Sequence, residues 1–421
     1  MNWQAWRFLG LMIVLAALGA IYLYSPFRQQ DLADAEAALQ QRDLEAALVS
    51  LSRAEQKSPD NPEVQFLLAR TARRGGDIDQ MQAHLKKAAK LGYPANRLDR
   101  EQKLALAQIG RLSEVEQQLP DLLVNAGEDG REICEAFVNG YLVAYRFQDA
   151  LGLLEPWQAE YPEDPQPHFV RGLIQLNMRN EGEAIDSFEH ALKLDANHKE
   201  ARLNLALLLV TRHQYQQAMQ HFRLLLERHP DDPDARCGLA ECLIGEGHIE
   251  ESRRVLTELL ESDPEFDKAR LTLGRLELDA GQAEEAVRIL EPLVKSEPKN
   301  SEARFIYGSA LQMDGQNAEA KHHLEYAAEA RPALQRARRL MEDVLTEPDD
   351  ADLRFDIGST LMKYDSPVDA AEWLRSVVDI EPDHAEAHRM LAEYYQAVGK
   401  DQLATYHQEL ANRHMPNGTS N

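Results

Sequence analysis

A period of thirty-four residues runs through the middle of this chain, and it restricts the fold more than any other feature of the sequence. Ala206 has Gly172 one period before it and Ala240, Gly274 and Gly308 at successive periods after it. Pro230 is followed at the same interval by Pro264, Pro298 and Pro332. Ala218 is matched by Ala184, Ser252, Ala286 and Ala320, and Phe222 by Phe188, Leu256, Leu290 and Leu324. No insertion interrupts these five copies. A repeat of this length means a stacked array, in which each unit buries its apolar face only against its neighbours.

Each copy has the logic of a helical hairpin. Leu203, Leu205, Leu207 and Leu209 recur along a first helix, a polar turn follows from Thr211 to Tyr215, and Ala218, Phe222 and Leu225 mark one face of a second helix. A small residue at the Ala206 position lets helices approach closely. The recurrent proline stops the second helix, and the acid before it in the Asp-Pro and Glu-Pro pairs is expected to supply caps. The frame extends outward through Tyr141, Ala150, Leu154 and Pro162, and through Ala35, Ala47, Leu51, Ala54 and Pro59. Ala69, Leu85 and Ala88 mark a further copy, whereas residues 104–125 keep the frame only loosely. Gly358, Ala370, Leu374 and Pro382, then Ala392 and Ala404, continue it downstream. Sixteen additional residues, ALQRARRLMEDVLTEP, separate Pro332 from Pro348, enough for one unpaired helix.

These residues resemble the tetratricopeptide repeat family. The resemblance implies an all-α fold, a right-handed α-solenoid of helix-turn-helix units. It also implies a concave groove lined by first helices, which binds other proteins or peptide segments. Carried over to this sequence, the groove positions are Leu203, Leu207, Val210, Cys237, Glu241, Ile244, Leu271, Arg275, Leu278, Phe305, Ser309 and Gln312. The chain departs from the family where a Trp or Leu is usual, with Arg202, Arg236, Arg270, Arg304 and Arg354. Such a ladder would be either an anion-binding stripe or, the favoured reading, a set of helix-terminal caps. The family's basic clamp for a C-terminal carboxylate does not occur at the groove positions.

Ahead of the repeats, Phe8 to Phe27 is an uncharged stretch bracketed by Arg7 and Arg28. Twenty helical residues span about 30 Å, the thickness of a bilayer's hydrocarbon core. Trp3, Trp6, Tyr22 and Tyr24 lie where interfacial aromatics belong. A cleaved leader would end near Ala17-Leu18-Gly19, but Ile21 to Tyr24 prolong the apolar run and favour a retained, single-pass N-terminal transmembrane helix. Arg7 before the span, against Asp31, Asp34 and Glu36 after it, places the repeats on the extracytoplasmic side of a bacterial inner membrane. Ala16 and Ala20 would let two anchors pack, without requiring a homo-oligomer.

The expected organisation is an anchor at 1–27, partly degenerate repeats at 28–130 and a regular array at 131–332. An extra helix at 333–350, a repeat pair at 351–414 and a polar tail at 415–421 complete it. With 46 Lys and Arg against 71 Asp and Glu, and no isolated basic cluster, nucleic acid is not an expected partner. Cys134, Cys237 and Cys242 form no CxxC pair and read as buried fillers. No nucleotide-loop, nucleophile-elbow or zinc-protease motif occurs, and His213, His221 and His229 wind around the hairpin instead of converging, as surface histidines do. Neither cofactor nor metal is expected, and the chain reads as a non-enzymatic scaffold. The alternative is a cytoplasm-facing adaptor that regulates a membrane enzyme or protease.

Overall fold

The computed structural model describes residues 30–414. The expected span at 8–27 lies outside them, and none of the described helices is long and apolar enough to cross a membrane. The chain divides into two compact units, Met1–Gly140 and Tyr141–Asn421.

In the first unit, residues 30–40 (α1) precede α2 (Leu44–Lys57), α3 (Pro62–Arg74), α4 (Ile78–Lys90) and α5 (Ala95–Gln108). Their shared core holds Ala47, Leu51, Phe66, Met81 and Leu85. The repeat frame then calls for a second helix over residues 113–124. Instead the chain makes two 3-10 turns, Leu112–Glu114 and Glu116–Gln118, and a short α6 (Leu119–Val124). Pro120 lies where that helix would need a donor, and a prolyl ring there would strike the carbonyl of residue 116. The next helix, α7 (Gly130–Val143), carries the unit boundary within it.

The second unit is a run of hairpins. It contains α8 (Phe147–Glu160), α9 (Gln166–Asn177), α10 (Glu181–Leu194), α11 (Lys199–Thr211), α12 (Tyr215–Leu226), α13 (Pro233–Gly245) and α14 (Ile249–Ser262). It continues with α15 (Asp267–Asp279), α16 (Ala283–Ser296), α17 (Ser301–Met313), α18 (Asn317–Asp343), α19 (Ala351–Tyr364), α20 (Pro367–Ile380), α21 (Ala385–Ala397) and α22 (Asp401–His414). The principal contacts join helices that are consecutive or next but one, and the first helices α11, α13, α15 and α17 touch in succession. This is an α-solenoid.

The small residue of each unit is where helices meet. A Cβ on Gly172 would lie 2.4 Å from the ring of Phe188, and one on Gly274 would lie 2.4 Å from Leu290. In the two hairpins between them Ala206 and Ala240 already fill that slot. In the first of these, Phe222 lies against the next hairpin's Gly238, where a Cβ would come within 2.3 Å of its ring.

Two expectations need correction. Glu297 and Glu347, the acids before the recurrent Pro298 and Pro348, do not cap the following helices; the caps sit two residues after the recurrent proline. Asp232, Asn300 and Asp350 accept from the backbone N–H of Ala235, Ala303 and Leu353 at 2.8, 2.9 and 3.0 Å. Nor does Pro332 end its helix, because α18 runs through it to Asp343. Behind Pro230, Pro298 and Pro348 stands an Asp or Asn that can open a new helix. Behind Pro332 stand Ala, Leu, Gln and Arg, strong helix formers with no cap among them, so the sixteen additional residues extend an existing helix instead of forming a separate one.

Candidate partner groove

The expected groove residues fall on the first helices of four successive hairpins. On α11, Leu203, Leu207 and Val210 are half-buried. On α13, Glu241 and Ile244 are half-buried, but Cys237 has no exposed surface and sits in a core with Leu256, Leu259 and Leu273. Cys237 therefore does not line the groove: its thiol turns inward, within 3.8 Å of the Thr272 hydroxyl, and burial pushes it up to about 12. On α15, Leu271 and Leu278 lean into the core formed around Leu290 and Ile306, and Arg275 stands out from it, paired with Glu302. Phe305 on α17 is 44% exposed, unusual for an aromatic of that size in this array. Arg331 of α18 lies 5.6 Å from its ring centroid. Ser309 donates to the Phe305 carbonyl at 2.8 Å, and Gln312 is exposed one turn further on.

Of the expected groove residues, Arg275, Phe305 and Gln312 are thus exposed, the leucines, Val210, Glu241, Ile244 and Ser309 are half-buried, and Cys237 is buried. Among the described residues no three His, Cys, Asp or Glu side chains converge as metal ligands.

The arginine ladder is structural. Arg202 donates to the carbonyl of Ala196 at 2.5 Å, Arg304 to that of Pro298 at 3.3 Å and Arg354 to that of Pro348 at 2.8 Å. Arg270 reaches the carbonyl of Pro264 in the same way. In every case the acceptor lies six residues earlier, in the loop that ends the preceding hairpin. Arg236 differs and donates to Ser262 Oγ at 3.3 Å. His388 occupies the next rung, with Nε2 2.9 Å from the Pro382 carbonyl.

A histidine nineteen residues later often completes the contact. Arg202 meets His221 at 3.4 Å, Arg304 donates to His323 at 3.3 Å, and His388 faces His407 with their Nδ1 atoms 2.8 Å apart. Burial, with Arg304 and His322 nearby, pushes His323 down to about 4, which leaves a neutral ring free to accept. These histidines are inter-helix fillers, and His221 is among them, not the surface histidine that its spacing suggested. The signal was available, since each stands at a fixed distance from a ladder residue.

Sequence reasoning also missed a buried ionic network in the first unit. Glu101, fully buried, accepts from Arg73 Nε at 2.5 Å and from Arg70 Nε at 3.2 Å. Glu132 accepts from Arg73 Nη2 at 2.7 Å, and Asp129 from Arg100 at 2.7 Å. The network cross-links α3, α5 and α7 beside the stretch that lacks its second helix. All its members are charged and scattered in sequence, so no apolar periodicity marks them.

A sequence profile described as tetratricopeptide repeat matches residues 38–109, 209–269, 246–305 and 327–394, and a second of the same description matches 169–233. The first profile alone covers more than half of the chain. The chain belongs to the tetratricopeptide repeat family. Neither profile matches 110–168, a stretch that begins with the 3-10 turns around Pro120 and continues through α7 and α8. Several solved structures are similar to it at low identity. PilW, a type IV pilus biogenesis factor, is 19% identical over 45% of this chain and 89% of its own, with a TM-score of 0.42. The human IFIT1 dimer with PPP-AAAA is 15% identical over 90% and 88%, at 0.41. MamA 41-end from Desulfovibrio magneticus RS-1 is 15% identical over 51% and 94%, at 0.27. At these identities and scores the likenesses carry no argument about function. No curated protein matches the sequence.

Proposed function

We propose that this chain is a non-catalytic scaffold, tethered to a bacterial inner membrane by its N-terminal apolar segment, that holds an extended segment of a partner protein along the first helices α11 to α17. The observation that supports the groove is Phe305. A large aromatic left 44% exposed on a first helix, beside a guanidinium and in a run of first helices that carries half-buried leucines, is the kind of anchor around which interfaces concentrate their energy. The apolar segment at 8–27 supports the tether, and the charge balance around it supports repeats outside the cytoplasm.

A photo-crosslinking amino acid placed at Phe305 or Gln312 in the full-length chain tests the groove in cells. It is expected to capture one discrete partner, while the same label at exposed Glu258 on a second helix captures none. Equal labelling from all three positions, or capture from Glu258 alone, would remove the groove from the proposal. C-terminal alkaline phosphatase and fluorescent-protein fusions test the side. An active phosphatase with a dark fluorophore is expected, and the reverse would transfer the scaffold to the cytoplasmic face as an adaptor.

A further inference from the structure

Within the second unit, one contact breaks the nearest-neighbour rule of a solenoid. Ala144 and Tyr145, in the turn before α8, meet helices that follow some two hundred residues later. Arg354 Nη2 donates to the Ala144 carbonyl at 2.5 Å, and the Tyr145 ring stacks on Trp373 with centroids 4.2 Å apart and planes 26° from parallel. Tyr145 packs against a core of Val344, Ile357, Leu361, Ala370 and Trp373, contributed by α18–α20 and the turn between them. The guanidinium of Arg354 lies 5.6 Å from the Tyr145 ring and 6.0 Å from that of Trp373. All the hairpins from α8 to α18, and every groove residue from Leu203 to Gln312, lie in the chain between the two sides of this contact.

We infer that Tyr145, Arg354 and Trp373 form a latch, which ties the start of the second unit's array to its later hairpins and opens and closes as one element. An open solenoid, whose repeats touch only their neighbours, adds up small rotations and changes curvature easily. A tie between its two ends removes that freedom and fixes the curvature of the groove between them. The inference concerns the array itself and stands apart from the membrane tether and from the identity of any partner.

The state of Arg354 makes the latch one that can open, beyond a simple extension of the core. Arg354 is 1% exposed and receives no carboxylate, only carbonyls and ring faces, and its Nη1 is buried without a hydrogen-bond partner. Burial accordingly pushes the pKa of the guanidinium down. Tyr145 holds a left-handed backbone at φ 56°, the same turn geometry that Arg179, His213, Gly247, Gly281 and Gly315 hold at successive periods, so the turn belongs to the hairpin and places the ring independently of the contact it makes. The closed state therefore carries a desolvated cation, relieved when the contact parts and water reaches Arg354. What holds it closed is one aromatic stack, the cation over two rings and the burial around them.

The test is a distance across the latch. Nitroxide labels on Gln148→Cys and Glu372→Cys, both exposed positions, can be placed in the full chain because Cys134, Cys237 and Cys242 are buried. Pulsed electron resonance on the otherwise unchanged protein is expected to give a single narrow, short distance. Tyr145→Gly removes the ring while favouring the left-handed turn, so folding is spared. It is expected to shift most of that population to a broad, longer distribution, with helix content by circular dichroism unchanged. A broad distribution in the unchanged protein, a measurement that needs no variant, would overturn the tie. A narrow distance that survives Tyr145→Gly would show that the closure does not depend on this contact, and the latch would be withdrawn.

Discussion

At the scale of single residues, the ladder shows how one position serves the same end with different chemistry. Arg202, Arg270, Arg304 and Arg354 each satisfy a loop carbonyl six residues back, and His388 does so one period after Arg354. The substitution has a consequence that an arginine would not bring. Because Nε2–H of His388 donates to Pro382, its Nδ1 is left as the acceptor, and His407 Nδ1–H donates to it; this tautomer assignment follows from the hydrogen-bond network. Burial, then His388 and Arg375, push His407 from its ordinary 6.5 down to about 4. The unfolded chain thus binds the proton more readily than the folded one across that interval. The contribution is complete above about pH 6.5 and is lost as pH falls toward 4, amounting to about 2 kcal/mol by pH 5. Hydrogen exchange over α21 and α22 should therefore speed up between pH 7 and pH 5, after correction for intrinsic rates. His407→Gln should flatten that dependence. An equally steep slope in the variant would assign the loosening to another group.

At the scale of the helix pair, the governing quantity is how closely two backbones can come. Gly172 lets α9 settle against Phe188 of α10, where a Cβ would be only 2.4 Å from a ring carbon. Gly172→Ala should cost about 1–3 kcal/mol, because the ring is fully buried and cannot swing aside. Urea denaturation of the second unit would check it, and an unchanged midpoint would mean that the pair has slack. Ala206 occupies the same position one hairpin later, and there Phe222 also lies close against Gly238 of the next hairpin. The period in the sequence therefore revealed the hairpin, the small residue and the large residue, but not this second close approach, which falls two residues before the small position at Ala240. The same holds for the groove. Leu203 is half-buried and Phe305 exposed, whereas Cys237, in an equivalent register, is buried because Thr272 and the core of the next hairpin close over it. A pattern of one chain's residues marks a helix face. Whether that face meets solvent depends on the rotation between successive hairpins, which no single repeat encodes. Likewise Pro332 looked like a stop, and only the absence of a cap after it explains why α18 continues.

At the scale of the whole molecule, the two compact units hold together by different physics, and acid should separate them. The second unit is built on repeating apolar pairs, with buried histidines between some of its helices. The first keeps a core of its own, and where its frame lapses after α5 it relies on Glu101, Asp129 and Glu132 against Arg70, Arg73 and Arg100. Burial works to raise the pKa of Glu132, but Arg73, Arg74 and Arg70 outweigh it and hold the carboxyl down at about 2. A carboxyl depressed in this way stabilises the fold fully above its unfolded value of 4.5, and that contribution disappears as pH falls toward 2. The C-terminal histidine pair acts in a higher window, from 6.5 down to about 4. Exchange-detected acid titration of the full chain should thus show α21 and α22 loosening first, with α3, α5 and α7 protected until the pH is well below 4.5. Glu101→Gln supplies the control. Arg73 is 1% exposed, and replacing the carboxylate that Arg73 and Arg70 share leaves two buried cations short of a counter-charge, a change expected to cost about 3–5 kcal/mol. It should abolish protection in the first unit at neutral pH and leave the acid response of α21 and α22 unaltered. If protection in the first unit instead survives the substitution, the arginines draw their compensation from Glu132 and Asp129 alone, and the network is more redundant than its geometry implies.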